Sequence, residues 1–182
     1  MYKSIVIVAF VCVFAISGCE RSRRQEITAN VNTLILDADA NLESAVIGLL
    51  REAKSDDSFT KMKAINGIGR VAEKHGLGDR HAKVVEALGI YLECDDNYVR
   101  RESALALTRV GGNLQLAVLP LMEAVRRREP VDSAWFAAEA LGKLGTDGRI
   151  AIPVLREAAN GEDDHLAAIA AESLAKLENA LQ

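Results

Sequence analysis

Downstream of an apolar N-terminal segment, apolar residues recur every three or four positions and are separated by short polar turns. This spacing is typical of amphipathic helices, each with one apolar face to bury. The pattern predicts nine helices, which cover residues 26–37, 42–54, 59–75, 79–93, 97–110, 113–128, 132–144, 148–160 and 164–180.

The predicted helices are organised in repeats of about 34 residues. Glu-Ala pairs recur at spacings of 34, 37 and 34 residues. A second series of similar segments has spacings of 42, 34 and 33 residues and begins at Ala64, Ala106, Ala140 and Ser173. We attribute the long first interval to extra residues around positions 74–78. Self-similarity at this period is typical of solenoids, in which each helix pair buries its apolar face on its neighbours.

We therefore predict an all-α fold, an α-solenoid in which antiparallel helix pairs stack into a right-handed superhelix of about four repeats. The composition agrees, because 49% of the residues are hydrophobic, only 4% are aromatic and only 3 are proline. A β-sandwich or barrel would need more Val, Thr, Tyr and turn residues. In the first helix, an apolar stripe is predicted to cover the first repeat: Ile27, Val31, Leu34 and Ile35.

Polar and glycine residues mark the predicted helix ends. A side-chain carboxylate can accept the N–H groups left unpaired at a helix start, and glycine readily adopts the left-handed backbone that closes a helix. The predicted caps are Asp96, Asp132, Asp147 and Asp163 at helix starts, and Gly111, Gly112 and Gly145 at helix ends.

The segment from about residue 97 to residue 177 resembles HEAT repeats of the short type known from bilin lyases. The carrying residues are Ala140-Leu141-Gly142-Lys143-Leu144-Gly145, then Ala151-Ile152-Pro153-Val154-Leu155, then Glu162-Asp163-Asp164. In the preceding repeat, Asp96-Asn97-Tyr98-Val99-Arg100 matches the family's acidic turn followed by a Val-Arg pair, whereas the later acidic turn lacks the Arg. The resemblance implies a long exposed face that binds proteins or peptides. It also leaves an alternative open, the handling of a bilin or another small molecule.

The first 18 residues are predicted to be a lipoprotein signal peptide. Lys3 supplies a positive start, and the apolar run 5–16 would span about 18 Å as a helix, too short for a hydrocarbon core of about 30 Å. The run ends in Ile16-Ser17-Gly18-Cys19, which resembles the bacterial lipobox, and the Cys19 thiol would take the lipid. An ordinary cleaved signal and an uncleaved anchor stay open as alternatives, and the arginines that follow favour the anchor.

The predicted domain organisation follows from this site. Residues 1–18 form the signal peptide, residues 19–25 the lipidated cysteine and a tether, and residues 26–182 the solenoid. The N-terminal lipid would hold the domain on a membrane of the bacterial cell envelope, outside the cytoplasm. Because residue 20 is Glu rather than Asp, the outer membrane is favoured if the host is Gram-negative.

Charge and candidate ligands argue against several function classes. The chain has 22 basic and 26 acidic residues, a net charge of −4, which disfavours a nucleic-acid partner. The three histidines lack the i, i+4 spacing of a metal site, and the segment 37–48 lacks the Gly and Glu of a calcium loop. Cys94 is predicted to be a small buried hydrophobic residue. We therefore predict no enzymatic activity, no metal and no cofactor.

Residues 126–136 contain residue types that often contribute most of the binding energy at protein interfaces. Arg126, Arg127 and Arg128 close a predicted helix, and Trp135 and Phe136 follow in the next one. We name these five residues as the candidate contact with an unidentified protein or peptide partner. The alternative is that the arginines are solvated at a helix C-terminus and that at least one aromatic ring packs between repeats. The predicted function is a non-enzymatic protein–protein interaction module or scaffold, and the uncapped C-terminus leaves contact between copies of the chain open.

Overall fold

The computed structural model describes the backbone of residues 2–182 and the side chains of residues 20–182. The predicted signal peptide and the Cys19 side chain lie outside the described side chains. No helix in the described part is long and apolar enough to cross a membrane. The helices are α1 (Tyr2–Asp37), α2 (Leu42–Glu52), α3 (Ser58–His75), α4 (His81–Tyr91), α5 (Asn97–Val110), α6 (Val118–Arg127), α7 (Val131–Gly142), α8 (Ile152–Ala159) and α9 (Asp164–Ala180).

The helices form two layers. Helices α1, α3, α5, α7 and α9 stack directly on one another, whereas α4, α6 and α8 touch each other only lightly. Each even-numbered helix packs instead on the odd-numbered helix that follows it, which gives four antiparallel pairs. We call the odd-numbered helices the inner layer, because the more closely spaced layer lies on the inside of a curved stack, and α2, α4, α6 and α8 the outer layer. The predicted all-α solenoid is confirmed.

Small residues make the close stacking of the inner layer achievable. A Cβ on Gly69 would lie 3.1 Å from Cα of Ala106, and a Cβ on Gly142 would lie 2.6 Å from Oγ of Ser173. Both glycines are helical, so their lack of a side chain serves contact between helices rather than a turn. Leu141 and the other large buried residues then fill the space between the layers.

The long first interval between repeats lies mostly within α3, which ends at His75 as predicted. Gly111 and Gly145 have φ values of 55° and 59° and stop or follow their helices, as predicted. The corresponding Gly69 stays helical, and α3 continues to His75 before Gly76, with φ of 71°, closes it. Most of the extra residues therefore lengthen α3 rather than the loop.

The predicted helix limits are correct at α5 and α9 and shift elsewhere. Helices α6 and α8 begin later than predicted, because each is preceded by a short 3-10 segment, Gln115–Ala117 and Gly145–Ala151. Residues 20–25, predicted to be a tether, are helical and continuous with the rest of α1. Within α1, Val31 is buried and packs beside Gly67, so this helix covers the first repeat as expected.

Helix capping follows the predictions only in part. Asp96 and Asp163 accept backbone N–H groups at the starts of α5 and α9, as predicted. Asp132 lies inside the first turn of α7, and Asp147 lies in a 3-10 segment, so neither is an N-cap, because Pro130 and Ala151 occupy the cap positions. Two further N-caps were not predicted from the sequence, namely Asn41 at the start of α2 and Asp57 at the start of α3.

Asp57 is the cap with the clearest set of donors. The hydroxyl and the backbone N–H of Thr60 donate to its Oδ2 at 2.6 Å and 2.8 Å. These hydrogen bonds favour the ionised carboxylate and hold the pKa of Asp57 below its ordinary value. The cap therefore stabilises the fold above the unfolded-state pKa of about 3.9, and this contribution is lost as the pH falls through the lower folded-state pKa.

We expect Leu141→Ala to lower the free energy of unfolding by about 2–5 kcal/mol, because Leu141 is fully buried between α7 and its neighbours. Urea denaturation followed by circular dichroism measures this change. The matched control is Leu119→Ala, since Leu119 is 68% exposed and its truncation should cost less than about 0.5 kcal/mol. Equal losses for the two variants would contradict the helix faces described above.

We expect Asp57→Asn to flatten the loss of stability in acid. An asparagine side chain still caps the helix, so the variant should stay folded at pH 7. Below about pH 4 its stability should fall less steeply than that of the wild type, because the titrating cap is gone. Urea denaturation at pH values from 7 to 2.5 tests this, with Asp56→Asn as the control that removes a charge from the same turn. Parallel curves for wild type and Asp57→Asn would disprove the assignment.

Candidate interaction surface

Polar side chains tie the inner-layer helices to one another across their solvent-facing side. Nδ2 of Asn66 in α3 donates to Oε2 of Glu102 in α5 at 3.0 Å. Arg101 lies 2.6 Å from Glu102 and forms a second ion pair with Asp132 of α7. Glu102 is nearly buried, so both partners compensate a charge that has lost most of its water. These contacts neutralise the centre of the inner-layer surface.

Further along the same surface, Lys143 repeats this arrangement between α5 and α7. Its Nζ donates to the backbone oxygen of Thr108 at 2.8 Å and pairs with Glu139 at 2.9 Å. Arg109 of α5 lies 3.8 Å from Glu73 of α3. The charges that line this part of the inner layer are therefore engaged within the protein.

Two aromatic residues, the exposed Tyr98 and the half-buried Phe59, lie where the inner-layer helices α5 and α3 begin. Tyr98 of α5 is 71% exposed. The ring of Phe59 in α3 has Arg24 at 5.1 Å and Lys63 at 5.5 Å from its centroid, within the range of cation–π attraction. A cavity of about 410 Å³ lies between the two rings. We call this site the aromatic shelf; it is lined by Arg24, Ser58, Phe59, Met62, Asp96 and Tyr98.

The five predicted contact residues do not form one cluster in the structure. Arg126 and Arg127 are exposed at the end of α6, and Arg126 lies 3.9 Å from Glu123. Arg128 caps α6 in the left-handed conformation, with φ of 54°, and is half-buried. Its guanidinium lies beside Gly161 in the turn that precedes α9.

The two predicted aromatic residues face different neighbours. Trp135 packs edge-on against His165 at the start of α9, with ring centroids 4.3 Å apart. Phe136 faces the opposite direction, and its centroid lies 5.7 Å from the guanidinium carbon of Arg101 in α5. Both rings are half-buried between inner-layer helices, so neither is an exposed anchor like Tyr98. The structure therefore joins Trp135 and Arg128 to the turn before α9 and separates Phe136 from them.

The side chains of His75, His81 and Cys94 each have a different environment. Nε2 of His81 is 2.9 Å from the backbone oxygen of Gly111, and Nε2 of His75 is 3.2 Å from Asp39. Burial raises the pKa of the half-buried Cys94 thiol, which keeps it protonated at neutral pH. In the part of the chain that the structure describes, no group of three or more His, Cys, Asp or Glu side chains could hold a metal ion.

The sequence did not predict which apolar residues are exposed to solvent. Tyr98, the second residue of its predicted helix, is exposed, and Phe59, the first residue of its predicted helix, is half-buried. Ile90 and Leu119 stand on the solvent side of α4 and α6, at 63% and 68% exposure. An apolar residue out of phase with the buried stripe of its helix is the signal that identifies such positions.

Comparison with known proteins agrees with the architecture. A family model for HEAT repeats matches residues 85–175, half of the chain. The crystal structure of an engineered protein, determined by the Northeast Structural Genomics Consortium, is similar with a TM-score of 0.65 and 19% sequence identity. The similarity covers 85% of this chain and 69% of that protein, and at this identity it concerns the fold alone. A search of curated proteins gives no significant match. The inner-layer stacking and the match over these repeats together place the chain in the HEAT-repeat family.

Proposed function

We propose that this chain is a lipid-anchored interaction module, which binds another protein through its solenoid and is held at a bacterial envelope membrane through Cys19. HEAT-type solenoids commonly mediate protein–protein contacts through extended surfaces. The observation that carries the interaction role is the aromatic shelf on a HEAT solenoid, with Tyr98 exposed beside Phe59. Tyrosine and arginine are the residues that most often anchor protein interfaces.

The aromatic shelf has the character of an interface anchor rather than of a core. Tyr98 exposes most of its ring although it is a large aromatic residue, and Arg24 and Lys63 flank the neighbouring Phe59. A partner that covers Tyr98 would remove its apolar ring from water while the phenol oxygen keeps a hydrogen-bonding role. Elsewhere on the inner layer, ion pairs such as Arg101 with Asp132 are already formed and would serve as a polar rim.

The membrane role rests on the N-terminal sequence. The small residues Ser17 and Gly18 precede Cys19 at the end of a twelve-residue apolar run. Several acyl chains on one terminus hold a protein firmly on a membrane, whereas a single chain binds only marginally. Only four residues lie between Cys19 and Arg24, so a lipid at Cys19 would hold the aromatic-shelf edge of the solenoid close to the membrane.

We expect Cys19→Ala to abolish incorporation of labelled palmitate and to leave the precursor unprocessed, because the thiol that accepts the lipid is lost. Metabolic labelling, gel mobility and membrane fractionation of the full chain in a bacterial host measure the three effects. Ser17→Ala is the control, since it keeps a small side chain before the cysteine and should be lipidated normally. Unchanged labelling and processing of Cys19→Ala would rule out the lipid anchor.

The interaction role has its own test. We expect a photoreactive amino acid that replaces Tyr98 in the full chain to cross-link reproducibly to one protein in the native host. The same amino acid at Glu157, which is exposed on the outer layer in α8, should not give that product. Adding Phe59→Ala should reduce the yield at position 98 by about tenfold if the aromatic shelf is the anchor. Equal products from positions 98 and 157 would refute a specific contact at this shelf.

A further inference from the structure

A second surface with interface character lies on the opposite side of the solenoid, between α2 and α4 of the outer layer. A groove of about 510 Å³ separates these helices. Its walls carry Ile47 and Leu50 from α2 and Ala87 and Ile90 from α4. Ile47 is 47% exposed and Ile90 is 63% exposed, although both are large apolar residues. We call this site the α2–α4 groove.

The groove exists because the outer layer is irregular at this point. Helices α4 and α6 touch lightly, and so do α6 and α8, whereas α2 and α4 touch even less. The irregularity coincides with the longer α3, which runs on to His75 before the chain turns back into α4. At the next interval along the outer layer, Gly89 of α4 lies against Ala117, which directly precedes α6. The α2–α4 groove is therefore a gap in the regular stacking.

The rim of the groove is positively charged, in contrast to the chain as a whole, whose net charge is −4. The lining includes four cationic residues and one acidic residue, Glu86. Arg80 pairs with Glu43 and closes one end of the groove. Within the described residues, Lys54 and Lys83 have no carboxylate within 4 Å. The rim thus offers cationic groups that the protein itself does not neutralise. The four cationic residues are Arg51, Lys54, Arg80 and Lys83.

We propose that the α2–α4 groove binds an amphipathic helix of a partner protein, with its apolar side chains against Ile47 and Ile90 and its carboxylates against Lys54 and Lys83. This inference rests on the proposed interaction role of the solenoid, and it depends neither on the lipid anchor nor on the aromatic shelf.

The dimensions and the charge both fit such a helix. Helices α2 and α4 have 11 residues each and are about 16 Å long. Apolar side chains at positions i, i+4 and i+7 of a partner helix span about 10 Å, so three of them fit between these walls. Acidic residues that flank this stripe would meet Lys54 and Lys83, which orients the helix and excludes basic competitors. Because the contacted cations lie at the solvent-exposed rim, the affinity should fall as salt is added.

The test uses the full chain in lipid nanodiscs and a fluorescein-labelled 16-residue helical peptide with Leu at i, i+4 and i+7 and Glu on both sides of this stripe. Fluorescence anisotropy measures its dissociation constant at 50 mM and 300 mM salt. A second peptide carries Lys at every Glu position, and empty nanodiscs measure binding to lipid. The variants are Lys54→Glu/Lys83→Glu and Ile90→Asp, and the control is Leu119→Asp, an exposed leucine of the outer layer outside the groove.

We expect the acidic peptide to bind with a dissociation constant below about 100 μM at low salt and about tenfold more weakly at high salt. The double charge reversal and Ile90→Asp should each weaken binding by about tenfold or more, and Leu119→Asp by less than about twofold. Circular dichroism of each variant shows whether it is folded, and a misfolded Ile90→Asp is replaced by Ile90→Ser.

Three outcomes would overturn the groove as a helix site. They are an absence of binding at 1 mM protein, equal affinity for the Lys peptide, and binding that the groove variants leave unchanged. Binding equal to that of empty nanodiscs would assign the signal to lipid and would also overturn it. None of these outcomes affects the cross-link expected at position 98, so a failure of the groove and a failure of the proposed interaction role are distinguishable.

Discussion

The whole structure depends on the close approach of the inner-layer helices. Gly69 beside Ala106 and Gly142 beside Ser173 leave no room for a Cβ, so two helical backbones come together at each of these points. This approach brings the inner-layer helices closer together than the outer-layer helices, which is the geometric condition for a curved stack. No single helix pair could bury its apolar face alone, and each depends on its neighbours for the burial that stabilises it.

The two surfaces that a partner could use, the α2–α4 groove and the aromatic shelf, lie at different kinds of position in the stack. The α2–α4 groove lies at the interval where α3 is longest and where α2 and α4 hardly touch. Tyr98 is exposed as the second residue of α5, directly after the turn that precedes this helix. The α2–α4 groove therefore coincides with an irregular interval of the stack, whereas Tyr98 lies at a regular turn of the repeat.

Charged side chains on the inner layer are paired with one another, whereas two lysines beside the α2–α4 groove are not. On the inner layer, Arg101, Glu102 and Asp132 satisfy one another between neighbouring helices and so serve the stacking. Around the α2–α4 groove, Lys54 and Lys83 face solvent beside exposed isoleucines. Charges that are already paired contribute specificity to the fold, whereas unpaired ones remain available to a ligand. A lipid on Cys19 would hold one edge of the solenoid at the membrane and leave both faces accessible from the side.

The repeat period, the helix pattern and the capping aspartates Asp96 and Asp163 are local features, so the sequence alone was sufficient to predict an all-α solenoid and most of its helices. The sequence alone also carries the whole argument for lipidation at Cys19. Tertiary structure decided what depends on distance between repeats. It placed Trp135 and Phe136 against different neighbouring helices and exposed Ile90 beside Ile47. The physical reason is that a periodic pattern specifies which face of a helix is apolar, whereas the packing of its neighbours determines whether that face is covered.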